Sequence, residues 1–150
     1  MSSGFRNWLL GGGNVIEAFD RGVIEVYSGT QPDAADLPPT GTLLGRVTRD
    51  GNTFAHGDPT YGLSIIHVPS IVGVLKDPTE DWILTGVADG TAGWWRFKAN
   101  SPTDDDSEST SFFRIDGVIS APFEEFFLAD TAITTAGQQD IELFQLTFNV

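Results

Sequence analysis

From Val23 onward, apolar and polar residues alternate with a period of two, the spacing of half-buried strands. In Val23–Ser28, Ile24 and Val26 fall on one face and Glu25 and Tyr27 on the other. A loop from residue 29 to 40 carries Pro32, Pro38 and Pro39, and residues 43–48 then resume a strand. Residues 63–68 and 71–75 are apolar on both faces, which predicts central strands. Pro69 separates them because it cannot donate to a ladder. Residues 82–88 and 94–99, joined by Asp89-Gly90-Thr91-Ala92-Gly93, predict a β-hairpin. Residues 112–119 predict a further strand and 124–129 a short pairing segment. In the last strand Phe144, Leu146, Phe148 and Val150 alternate with Gln145, Thr147 and Asn149. Asp50-Gly51 and Ala136-Gly137 mark turns, and residues 52–62 read as loop.

The start of the chain departs from this rhythm. Phe5, Trp8 and Leu9 share one helical face, as do Val15, Ala18 and Phe19, with Gly11-Gly12-Gly13 as a break. Asn14 can cap the second piece and Gly22 can close it. Helices this short are marginal alone, so they must dock on something. The expected architecture is one all-β domain of about seven to nine strands, a jelly-roll-like β-sandwich over residues 23–150. A helical N-terminal arm spans residues 1–22.

Composition narrows the functional classes. The chain has 150 residues, 21 acids against eight Lys and Arg, a net charge of −13 and no cysteine. No basic stripe is available for phosphates, so nucleic acid is an unsuitable partner, and an anionic membrane is disfavoured for the same reason. No apolar run approaches the ~20 residues that cross a bilayer, and the N-terminus lacks a secretory core. The expectation is a soluble, acidic, intracellular protein without thiol chemistry or a cysteine metal site.

Catalytic motifs are missing. The sequence has neither G-x-S-x-G nor H-E-x-x-H, and its only histidines are His56 and His67. His67 alternates with Leu63 and Ile65, which predicts a strand residue at the edge of the core. His56, among Gly, Asp and Pro, reads as a solvated turn residue. Gly11-Gly12-Gly13-Asn14 lacks the spacing and the lysine of a phosphate loop and reads as a joint. Asp104-Asp105-Asp106-Ser107-Glu108 offers hard oxygens. Counted as an EF-hand, however, it places Ser109 and Ile115 where Gly and Glu are required, so a solvated acidic loop is expected. No catalytic residue, cofactor or metal is assigned.

The aromatic strands are more informative. Trp94 and Trp95 are adjacent and must point to opposite faces. Trp95, Phe97 and Ala99 form one apolar set, and Trp94, Arg96 and Lys98 the other. The next strand repeats the split, with Phe113, Ile115 and Gly117 opposing Phe112, Arg114 and Asp116. The aromatic-plus-arginine face is either a covering stack or an interface patch, since Trp and Arg are favoured hot-spot residues. The candidate interface residues are Trp8, Leu9, Phe19, Trp94, Arg96 and Arg114.

Several stretches carry a resemblance. Gly22 through Pro32, Ala34-Ala35, and Thr40-Gly41-Thr42-Leu43-Leu44 resemble small virion proteins of tailed bacteriophages. So do Gly90-Thr91-Ala92-Gly93-Trp94-Trp95-Arg96-Phe97, Arg114-Ile115-Asp116-Gly117, and Ile133 to Gly137 with Phe144-Gln145-Leu146-Thr147-Phe148. Trp95 and Ile115 stand where the resemblance would place another aromatic and a leucine, and the alternation survives both. The resemblance implies a non-enzymatic head decoration, or cement, protein with a sandwich fold. It would bind the major capsid protein and associate with itself as a dimer or trimer. It would be made in the host cytoplasm and reside on the capsid surface. Alternatives are a tail or neck component, or a carbohydrate-binding β-sandwich using exposed aromatics. A glycosidase fits less well.

Overall fold

The computed structural model describes residues 1–70, 72–119 and 126–147. Among these the chain forms two short helices, α1 (Ser3–Leu10) and α2 (Val15–Phe19), followed by ten strands. The strands are β1 (Val23–Ser28), β2 (Leu43–Arg49), β3 (Ile65–His67), β4 (Gly73–Lys76), β5 (Trp82–Gly86), β6 (Gly90–Lys98), β7 (Arg114–Val118), β8 (Ala132–Ile133), β9 (Gln138–Asp140) and β10 (Gln145–Thr147). All named pairings are antiparallel. They build a seven-stranded sheet in the order β7-β6-β1-β2-β5-β9, with β8 on β6, and a three-stranded sheet β10-β4-β3.

The protein is an all-β, sandwich-like fold with a short helical N-terminus. Inward residues of the large sheet (Ile24, Val26, Val47, Leu84, Trp95, Phe97, Ile115) meet Ile65, Val74, Phe144 and Leu146 from the small sheet's side. Phe144 lies at its centre. Its ring packs within 5.4–5.6 Å of Trp82, Trp95 and Phe97. Gly117 exists to admit Trp95, because a Cβ there would stand 2.4 Å from the indole. Of the expected pairing segment at 124–129, Phe126 makes a bridge to Phe144, while residues 124–125, the strand end at 148–150 and Ile71 lie outside the described residues.

Two expectations are corrected. Residues 63–68 hold an edge strand rather than a central one, since among the described strands β3 pairs with β4 alone. Residues 82–99 do not form a hairpin: β5 pairs with β2 and β9, whereas β6 pairs with β1 and β7. The connecting residues are held elsewhere. The Val87 and Ala88 amides donate to the Leu44 carbonyl, and the Asp89 carboxylate accepts from the Thr135 amide and hydroxyl. Turn residues between two strands fix a reversal, but not which strand lies beside which. Asp50 and Gly51 do form the expected tight turn, with φ of 60° and 68°.

The arm docks on its own chain. The Ser2 hydroxyl caps α1 through the Phe5 amide, donates to the Phe112 carbonyl and accepts from the Arg114 amide. Asn14 caps α2 by accepting from the Glu17 amide, as its sequence position predicts. Phe5 and Phe19 are fully buried and meet edge-on at 4.8 Å, and Phe19 continues to Phe97. The two helices thus close one end of the sandwich.

Candidate functional site

The outer face of the large sheet holds the densest chemistry in the molecule. Register fixes it. Asp116 on β7 lies opposite Arg96 on β6, which lies opposite Glu25 on β1, then Arg46 on β2, then Thr85 on β5. Residues directly opposite in an antiparallel pair share a face, so this row alternates in charge across four strands. The neighbouring row brings Arg114 and Lys98 together, and on the other side Trp94 stands opposite Tyr27.

The row is paired throughout. Arg96 holds Asp116 with two parallel bonds of 2.7 and 2.8 Å and donates a third to the Leu37 carbonyl at 3.0 Å. Arg46 Nε donates to Glu25 at 2.9 Å, and the Tyr27 hydroxyl donates to the other Glu25 oxygen at 2.7 Å. The Lys98 ammonium lies 2.7 Å from Asp106, 3.6 Å from Glu25 and 3.8 Å from Asp104. Arg114 forks onto both Asp104 oxygens and donates to the Ser107 carbonyl at 3.0 Å. Four acids (Glu25, Asp104, Asp106, Asp116) therefore meet four bases (Arg46, Arg96, Lys98, Arg114).

Electrostatics follow the geometry. Burial pushes the Glu25 carboxyl up, but Lys98, the Tyr27 hydroxyl and Arg46 outweigh it, and the net shift is down. Asp104 is likewise opposed by burial and held below the ordinary carboxylate range by Arg114 and Lys98. Burial and the adjacent Glu25 carboxylate push the Tyr27 phenol up. All three groups are thereby fixed in one protonation state near neutrality, which suits a permanent cluster rather than a proton-transfer site.

Two segments close over this face. The segment after β1 is anchored by the Leu37 carbonyl on Arg96 and the Thr40 carbonyl on Trp94 Nε1. The segment before β7 is anchored through Asp104, Asp106 and Ser107. Two expectations change as a result. Trp94, Arg96 and Arg114 do lie opposite to Trp95, Phe97 and Ile115, yet they are not on an open surface: all three have 0% exposure. Strand alternation separates two faces but cannot show that loops will cover one of them. The acidic run is not simply solvated either, because Asp104 is buried on Arg114 while Asp105 stays exposed.

The remaining candidates divide. Phe19 is core, and Trp8 and Leu9 are half-buried against it, beside Leu10, which is 87% exposed. Trp94 stacks on Tyr27 at 4.5 Å and 13°, so its ring face is not free to receive a sugar. His67 is exposed at the end of β3 rather than tucked at the core edge. His56 is not fully solvated. It meets Phe54 edge-on at 5.0 Å, and its Nδ1 is buried with no hydrogen-bond partner among the described residues. Burial, then Lys98, lowers its pKa against the opposing pull of Glu25, Asp104 and Asp106.

Among the described residues no group of His, Asp and Glu is placed to hold a metal ion, and no helix is long and apolar enough to cross a membrane. The carboxylates that converge at the cluster surround the Lys98 ammonium, which stands where a cation would. Comparison with protein-family models, curated proteins and solved structures finds no match.

Proposed function

We propose that this chain is a non-enzymatic attachment protein of a tailed-bacteriophage head, binding assembled major capsid protein from outside. The observation that carries the reading beyond the resemblance is the distribution of apolar and ionic groups. The concentrated ionic chemistry is spent inside, tying two long loops to the sheet. At the exposed end of α1, by contrast, Leu10 projects beside half-buried Trp8 and Leu9. An exposed leucine adjoining two apolar neighbours suits a small docking ridge.

The internal clamp supports the same reading. A cement protein must resist deformation while it bridges subunits, and loops held by several charge-assisted bonds lose little shape under load. The acidity agrees as well. The cluster is balanced, four acids to four bases, so the net charge of −13 is carried by the rest of the molecule, whose negative surface would not grip packaged DNA. The test is composition and imaging of purified particles. Stoichiometric presence with density on the head exterior supports the reading, and density confined to the tail or neck, or absence from the particle, overturns it.

A further inference from the structure

The ionic row ends on a cation that is only half used. Arg96 and Arg114 each hold both oxygens of a carboxylate, and Lys98 has three carboxylates within 4 Å. Arg46, at the open end, has only its Nε on Glu25, an oxygen pair already shared with Tyr27 and Lys98. Its two terminal nitrogens have no hydrogen-bond partner among the described residues, and the side chain is 42% exposed.

Arg46 lines a pocket of about 120 Å³. The floor is the outer face of β2 and β5, with Thr48 and Thr85, and the rim includes Asn52, Thr53 and Phe54. The loop forming the rim is fixed. The Thr48 hydroxyl donates to the Asn52 carbonyl at 2.7 Å, and the Thr85 hydroxyl to the Gly51 carbonyl at 3.2 Å. Because Glu25 takes the Nε edge, the guanidinium is held with its two-nitrogen end free. Two parallel N–H donors in one plane match the two oxygens of a carboxylate.

We infer that this pocket is a carboxylate-binding site, sized for the head group of an aspartate or glutamate side chain or of a small free acid. Guanidinium and carboxylate would form an end-on pair over the threonine floor, extending the charge row by one member. The inference is independent of head attachment, since it concerns the isolated protein.

The experiment is an amide-shift titration of the whole chain with sodium acetate against sodium chloride at matched ionic strength, followed by N-acetyl-aspartate. The first acid tests the shared chemistry, and the second asks whether a carboxylate on a peptide-like body also enters. Saturable acetate shifts at Thr48, Asn52, Thr53 and Thr85, absent with chloride, are expected. Thr53→Glu, at an exposed rim position that leaves the Arg46–Glu25 bond intact, should supply an internal carboxylate and reduce the shifts at least tenfold. Arg46→Gln should abolish them. Equal shifts with chloride, no saturable shifts, or full acetate binding by folded Thr53→Glu would overturn the inference.

Discussion

Arg96 and Asp116 stand directly opposite each other on β6 and β7, joined by two parallel bonds, and both side chains are buried. A buried pair of this kind costs desolvation to form, so its net worth is modest, but removing one member strands the other. Arg96→Met or Asp116→Leu alone should therefore destabilise by ~3–5 kcal/mol in urea unfolding. The double variant should recover most of that loss. Additive losses in the double variant would show that the pair is not the unit holding the loop.

The two adjacent tryptophans should behave alike in stability. Trp94 and Trp95 are both fully buried, one under the loop after β1 and one in the inter-sheet core. Truncating either to Ala should cost ~3–5 kcal/mol. They differ in what the indole nitrogen does: Trp94 Nε1 donates to Thr40, whereas Trp95 Nε1 is buried without a partner among the described residues. Trp94→Phe should consequently lose more than Trp95→Phe, because only the former leaves a carbonyl without its donor. Paired thermal melts decide it.

Stability should fall with acid in two stages. His56 has a folded pKa below its ordinary 6.5, so the folded state binds its proton less readily than the unfolded one. Its contribution is present above pH 6.5 and is lost as pH falls below that value. Glu25 and Asp104 also have lowered values, against ordinary ones of 4.5 and 3.8, so their contributions disappear at lower pH still. The measurement is the unfolding midpoint from pH 8 to 3. His56→Gln should remove the upper stage and leave the lower one.

The sequence carried the fold's rhythm but not its neighbours. The Ser2 cap went unread, and α2 ends on Asp20 rather than Gly22. The Asn14 cap, the Asp50-Gly51 turn and the two faces at Trp94 and Trp95 were readable, because each depends on residues close in the chain. Strand order was not, and from that came the mistaken hairpin at 82–99. The charge row failed for the same reason. Glu25, Arg46, Arg96 and Asp116 lie on four separate strands, and nothing local announces that register sets them side by side. One available signal was missed: each is a charged residue flanked by apolar or aromatic positions in a strand, which invites a search for an opposite charge at matching phase.

The arm offers a stability test of its own. Phe5 and Phe19 close the end of the sandwich together, so Phe5→Ala should cost ~3–5 kcal/mol, and deletion of residues 1–20 should expose Phe97 and abolish solubility. A soluble, folded deletion product would show that the helices cover nothing essential.

Leu10 provides the most direct test of head attachment, because it projects into solvent and its loss should leave the core untouched. The proposed attachment is measured by cosedimentation with undecorated tailed-phage heads, comparing the natural protein with Leu10→Glu at equal melting temperature. The natural protein should pellet with the heads while Leu10→Glu stays in the supernatant. If the natural protein stays in the supernatant, or the variant pellets equally well, attachment through this end of the molecule is contradicted.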